Sequence, residues 1–425
     1  MKIHVIGAGL AGCEAAYLLA RRGYAVDLFE MKPELGPAFH EKDLLAELVC
    51  SNSLKSVARD NASGLLKAEM KALGSLVMES AEKNRLPGGQ DLSVDRTAFS
   101  RYITDKVLSL PNVRLVHEKV TSLEKGEDVI NIVCSGPLTA PELVSFFQNE
   151  YASSFCSFFD AAAPLVYVDS LDLSKMYFKS RYDKGEGSYL NVPLTKEEYE
   201  DFVRELCSAE RAELHDFDHF EACLPVEVMA KRGIDTLRFG PLKPKGLETE
   251  NVRPYAVVQL RQDDVAGDLY NMVGFQTNLK YGEQKRVFSL LPGFSKARFA
   301  RFGLMHRNTY INAPMALNRN LSLKQDRNTY VAGQFSGVEG YPESAASGLL
   351  AGYYVLERLE GKPFDPIPTD TMLGSLINYL VMSSPKHFAP MNATYGIYQY
   401  PYRMNKEEVY EHSSEVIPEW LGRNF

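Results

Sequence analysis

KIHVIGAGLAGCEAAYLLARRGYAVDLFE, residues 2–30, decides the fold. Lys2–Ile6 is a short apolar run of strand length. Leu10–Arg22 sets Leu10, Leu18 and Leu19 among small residues and predicts a helix. Ala25–Glu30 predicts a second strand. A strand, a helix and a strand in about 30 residues make one βαβ unit. The turn between the first two elements is Gly7-Ala8-Gly9-Leu10-Ala11-Gly12. At this position Gly7 permits a tight turn, Gly9 lets backbone approach a pyrophosphate, and Gly12 allows helix and strand to pack closely. The helix start offers unpaired N–H groups and a positive partial charge to phosphates. Glu30 ends the second strand, where a carboxylate accepts hydrogen bonds from an adenosine ribose. It does not favour a 2′-phosphate, so FAD or NAD fits this site better than NADP.

A late segment decides between those two. Tyr330-Val331-Ala332-Gly333-Gln334 reads as a strand ending in small residues. Gly337 to Tyr341 follows, including Gly340, and Ser344–Leu359 predicts a helix that begins among small residues. A strand–glycine–helix element this late, coupled to an early glycine turn, fits a flavoprotein. Its helix start faces the pyrophosphate or the flavin carbonyl. The expected FAD-binding residues are therefore Gly7 to Gly12, Glu30, Gly333, Gln334, Gly340, Tyr341 and Ser344.

The 425 residues are 45% hydrophobic, 24% charged and 11% aromatic, which are globular values and argue against disorder. No run of about 18 apolar residues predicts a membrane span. The N-terminus does not read as a signal peptide, so a cytoplasmic protein with reduced thiols is expected. The six cysteines contain no C-x-x-C pair, and the eight histidines no H-E-x-x-H motif, so no metal site is expected. Net charge is −8, yet residues 225–325 hold 16 Lys and Arg against 8 Asp and Glu. A basic segment on an acidic body is the asymmetry of a protein with one face turned to a polyanion.

Beyond the first unit, residues 43–76 read as mostly helical, interrupted at Ser51–Ser56. Gly and Pro become denser after Val144, and Tyr255–Leu260 and Leu269–Phe275 alternate like antiparallel strands. The expected fold class is α/β, a Rossmann-like FAD-binding domain with a large inserted α+β domain and C-terminal helices. The expected divisions are 1–143 and 327–362 for the FAD-binding domain, 144–326 for the insert and 363–425 for the helical end. Two cysteines stand apart from the apolar ones. Cys50 lies at the edge of the polar stretch Ser51–Ser56, near Lys55, and Cys223 lies between Glu221 and Glu227. Either could be an exposed thiol of lowered pKa or a buried small hydrophobe.

Several longer stretches carry a resemblance. They include ELVCSNSLKS at Glu47–Ser56, DAAAP at Asp160–Pro164, KSRYDKGE at Lys179–Glu186 and PVEVMAKRG at Pro225–Gly233. RPYAVVQLRQDD at Arg253–Asp264, MHRNTYIN at Met305–Asn312 and GVEGYPESAASGL at Gly337–Leu349 continue it. With the glycine turn, these make the chain resemble the folate- and FAD-dependent tRNA (uracil-5-)-methyltransferases, relatives of the GidA-type flavoproteins. The resemblance implies a soluble enzyme that reduces FAD with NADPH or NADH. It would take a one-carbon unit from 5,10-methylenetetrahydrofolate and place it on C5 of the T-loop uridine, position 54, of tRNA. It also implies two working cysteines, whose motifs fall on Cys50 and Cys223. Uracil C5 is a poor nucleophile until a thiolate adds at C6, and a base must later remove the C5 proton. Cys223 is expected to add to C6 and Cys50 to assist proton transfer. His306, Arg307 and Asn308 are candidates for ordering folate or uracil. The chain departs from the family in Ala222-Cys223-Leu224-Pro225, where Gly-Cys-Met-Pro is usual, and in Cys134-Ser135-Gly136-Pro137. Three alternatives follow: a GidA-type wobble-uridine modifier, a paralogue methylating ribosomal RNA, and a flavin-bound RNA-binding factor without catalysis.

Overall fold

Five parallel strands build the first layer, in the order Thr329–Val331, Val129–Val133, Lys2–Ile6, Val26–Glu30, Val113–His117. The computed structural model describes residues 1–32, 43–151, 155–183, 189–212, 224–399 and 404–425, with backbone alone for 155–162 and 304–307. The central strands are apolar runs because both faces are covered: every residue of Val129–Val133 is buried. On one face the helix Leu10–Arg21 lies against the helix Tyr341–Leu359. Glycine permits this approach. A Cβ on Gly348 would stand 2.2 Å from the Ala11 carbonyl oxygen, so any side chain there would part the helices. The later helix is buried almost throughout, and it is mostly small and apolar, with Glu343 and Glu357 among its buried side chains.

A second sheet is antiparallel and six-stranded, in the order Tyr177–Phe178, Tyr189–Leu194, Ala256–Gln262, Leu269–Met272, Leu165–Tyr167, Phe299–Arg301. The helix Lys196–Ser208 starts on a capping box of Thr195 and Glu198, and buries Tyr199, Phe202, Val203 and Leu206 on one face. This core runs from Val166 to Ala297. Phe147 and Tyr151, before it, and Tyr310, Ile311 and Leu317, after it, pack in the first core instead. A two-stranded antiparallel ladder, Phe155–Ala162 with Leu304–Ile311, spans the passage between the cores. The C-terminal helices Met372–Met382 and Lys406–Asn424 pack on the first core. No described helix is long and apolar enough to cross a membrane.

The stretch 43–52 is not helical, contrary to the pattern reading, and Ser53–Ser56 is a strand paired with Asp91–Val94. The physical reason is that its carbonyls accept from groups distant in sequence, Lys32, Ser100, Arg96 and Arg301 among them, rather than from amides four residues on. The long helix also starts at Tyr341, three residues before Ser344. Pro342 fits there because the first turn of a helix requires no N–H from it.

Two buried carboxylates cap helices at a distance. Glu14 accepts from the Leu76 and Val77 amides at 3.0 Å each, and from the Ser75 hydroxyl. Glu69 accepts from the Met372 and Leu373 amides, both at 2.8 Å, and from Ser413. Burial pushes each up to about 7, against these hydrogen bonds. Unfolded, they ionise near 4.5. Between those values the folded chain holds more protons, so stability falls as pH rises through this window. The melting temperature is expected to decline from about pH 5 to about pH 7, and Glu14→Gln or Glu69→Gln to flatten that slope; thermal unfolding across pH checks it.

Candidate active site

The glycine turn places its residues as their side chains, or lack of them, require. Gly7 has φ +100°, and a Cβ on it would stand 2.4 Å from the Cys134 carbonyl oxygen. Gly12 abuts the Gly7 carbonyl from behind. Gly9 caps the helix, and a Cβ there would meet no protein atom within 4 Å. Open space therefore lies in front of a helix start and close packing behind it. Glu30 is set beside the turn: its carboxylate accepts from the Ala8 and Lys32 amides, each at 3.1 Å.

Both expected halves of the site face one cleft of about 1220 Å³, counted with its solvent-open mouth. Gly7, Ala8, Gly9, Leu10 and Ala11 line it from the first turn, and Glu30 from the second strand. Gly333, Gln334, Tyr341 and Ser344 line it from the late segment. Gly12 and Gly340 do not line it. Gly340 caps the long helix at φ +116°, where a Cβ would run into Glu343 and Lys55. Two helix starts converge on the cleft, the electrostatics a pyrophosphate needs. The fingerprint residues, the open face of Gly9 and the pinned Glu30 fit a dinucleotide.

Tyr341 ties this cleft to Cys50. Its hydroxyl accepts from the Cys50 amide at 2.6 Å and the Ser51 amide at 3.2 Å. Burial, and then the charge on Cys50, push that hydroxyl's pKa upward. Cys50 itself is half-buried. Arg96 and Arg301 both interact electrostatically with it; Lys55, near it in sequence, pairs with Glu343 at 2.8 Å. Arg301 donates to the Val49 carbonyl at 3.3 Å and the Cys50 carbonyl at 3.0 Å. Arg96 donates to the Leu48 carbonyl and forks onto Asp263 at 3.0 and 3.2 Å. Asn52, fully buried, donates to the Val94 and Gln262 carbonyls and accepts from Arg261. Arg96, Asp263, Arg261 and Arg301 were not foreseen as site residues. The signal was present in RQDD, residues 261–264: charged residues that close an otherwise apolar strand.

A second cleft opens between the stretch 44–49, the start of the helix Arg96–Leu108 and the antiparallel sheet, lined by Leu48, Arg96, Asp263, Leu269 and Arg301. It shares Glu47 and Val49 with the first. Asn308 is buried, and its amide nitrogen has no partner among the described residues. Cys223 lies outside the described residues, as do the side chains of His306 and Arg307.

Fold and cleft together define a dinucleotide-binding α/β protein with an inserted antiparallel-sheet domain. A family model described as glucose inhibited division protein A matches residues 2–363. Methylenetetrahydrofolate--tRNA-(uracil-5-)-methyltransferase TrmFO of Lactobacillus helveticus is 52% identical over 401 residues, 93% of this chain and 98% of its own. The protein of the same name from Listeria innocua is 51% identical over 401 residues, 93% of this chain and 92% of its own. The solved structure of Aquifex aeolicus GidA matches with a TM-score of 0.74 at 16% identity, over 99% of this chain and 75% of that one, a likeness of fold. The chain belongs to the glucose inhibited division protein A family and, within it, groups with the TrmFO methyltransferases.

Proposed function

We propose that this protein is a folate- and FAD-dependent tRNA (uracil-5-)-methyltransferase. It moves the methylene of 5,10-methylenetetrahydrofolate to C5 of the T-loop uridine of tRNA, with NADPH or NADH as reductant. The observation that carries this reading is the identity of about half of all residues, over 93% of the chain, with relatives of that name. The wobble-uridine, ribosomal-RNA and non-catalytic alternatives are not favoured by those relatives.

The cleft geometry supports the cofactor half. The helix starts at Gly9 and Gly340 would hold the pyrophosphate and the flavin carbonyl, and Glu30 the ribose. Bound FAD supplies the one-carbon carrier and the hydride that completes the methyl group. The chain's own part is positional and acid–base. Tyr341, itself in the wall of the cofactor cleft, holds the backbone of Cys50 behind it, and the Cys50 thiol is proposed to take or return a proton. Cys223 is the residue proposed to add to uracil C6. The test combines purified protein with isotopically labelled methylenetetrahydrofolate, a reduced nicotinamide and unmodified tRNA. Label at the T-loop uridine is the expected result; label confined to ribosomal RNA or to the anticodon stem overturns it.

The basic segment supplies a face for RNA. Lys231, Arg232 and Ile234 are exposed, and Phe239 is 72% exposed. The Arg238 guanidinium lies 5.4 Å from the Phe239 ring and 4.1 Å from that of Tyr255. Aromatic faces interleaved with cations suit unstacked bases of an RNA loop. A base stacked on such a ring contributes about 1–3 kcal/mol. Phe239→Ala is accordingly expected to raise KM for tRNA about fivefold or more and to leave KM for the folate unchanged; steady-state kinetics check it.

A further inference from the structure

We propose that Arg301 is a positioning residue for Cys50: carried by the inserted domain, its guanidinium fixes the peptide that bears the thiol. This rests on the reading of Cys50 as a working cysteine. Four observations carry it. First, Arg301 donates to two successive carbonyls of the cysteine loop, Val49 and Cys50, and at 3.4 Å to Ala163 beside the ladder that spans the two cores. Second, its strand, Phe299–Arg301, shifts register against Leu165–Tyr167 between Phe299 and Arg301. An irregularity of this kind re-aims a side chain and is a recurrent feature beside active sites. Third, its Nε is buried with no hydrogen-bond partner among the described residues, although Arg301 lines the second cleft. A group needed only for packing would not carry that cost. Fourth, the loop has no regular structure of its own, so its shape depends on these outside donors.

The electrostatics agree. Burial, then repulsion from Arg96, lower the Arg301 pKa, and the charges of Asp263 and Cys50 oppose that. The cysteine and the guanidinium therefore support each other's charged forms. Arg96 holds the preceding carbonyl, Leu48, while Asp263 of the inserted sheet grips Arg96. The inserted domain thus reaches the cysteine loop through Arg301 directly and through Asp263 by way of Arg96.

The test uses full-length, FAD-loaded protein with Arg301→Lys, which keeps charge but loses the fork, and Arg301→Gln, which loses charge. Misplacing a working group by about 1 Å costs on the order of 100-fold. We expect kcat for methyl transfer to fall about 10- to 100-fold in Arg301→Gln and less in Arg301→Lys. KM for tRNA and folate should stay within about twofold. Iodoacetamide labelling of Cys50, followed by peptide mass, should shift to higher pH in Arg301→Gln. Parental kcat with a parental labelling profile overturns the proposal. If Arg301→Gln does not retain flavin, Arg301→Lys carries the same comparison. Full methyl transfer by Cys50→Ser would instead sink the role of Cys50. The labelling profile would then still report whether Arg301 governs that thiol.

Discussion

Gly12→Ala is expected to leave the protein colourless and less stable, whereas Gly9→Ala should stay folded and lose only its grip on FAD. The two positions lie three residues apart and meet opposite surroundings. A Cβ on Gly12 would stand 1.8 Å from the Gly7 carbonyl oxygen and 3.3 Å from a methyl of Val5. The obstacle is backbone, so relief requires the helix to move off the sheet, at a cost of about 1–3 kcal/mol or more. That movement takes the helix start away from the cleft. A Cβ on Gly9 meets nothing within 4 Å, and its φ of −74° suits any residue. An alanine methyl there intrudes only on the space assigned to the pyrophosphate. Visible flavin absorbance after reconstitution, read beside the melting temperature of the cofactor-free protein, separates the two outcomes. A yellow Gly12→Ala protein of parental stability would refute the assignment of the turn.

Cys50→Ala and Cys223→Ala should each retain FAD and its reduction by NAD(P)H while losing methyl transfer. The expected loss is about 100-fold or more for a proton-transfer group and on the order of 10⁴-fold or more for a nucleophile. Cys50 does not line the dinucleotide cleft, and its loop is held through backbone groups, so removal of its sulfur leaves those contacts in place. Single-turnover transfer of label to tRNA, with flavin content measured on the same samples, is the deciding measurement. Two alanine variants with parental transfer would refute the catalytic roles assigned to both cysteines.

The contrast between what the sequence disclosed and what it concealed follows the range of the interactions. The turn at Gly7–Gly12, the strands on either side and Glu30 are local: spacing within 30 residues determines them. The late segment was legible too, because Gly333 and Gly340 sit at positive φ, where glycine is the natural choice. The loop around Cys50 was not. Its carbonyls find Arg96 and Arg301, and its amides find Tyr341, at separations from 48 to 291 residues. Helical-looking spacing of Leu44, Leu45 and Leu48 reflects burial from several directions and not one helical face. Lys55, five residues from the thiol, forms an ion pair with Glu343, a partner 288 residues away that spacing does not disclose.

The contact between Ala11 and Gly348 also has a consequence for biosynthesis. One wall of the cofactor cleft is made first and the other almost last, because Leu10–Arg21 must wait for Tyr341–Leu359 and the strand Thr329–Val331. A chain emerging from the ribosome can complete the core of Val166 to Ala297 well before that moment. The antiparallel sheet can therefore be complete in a growing polypeptide while the cofactor cleft still lacks one of its two walls.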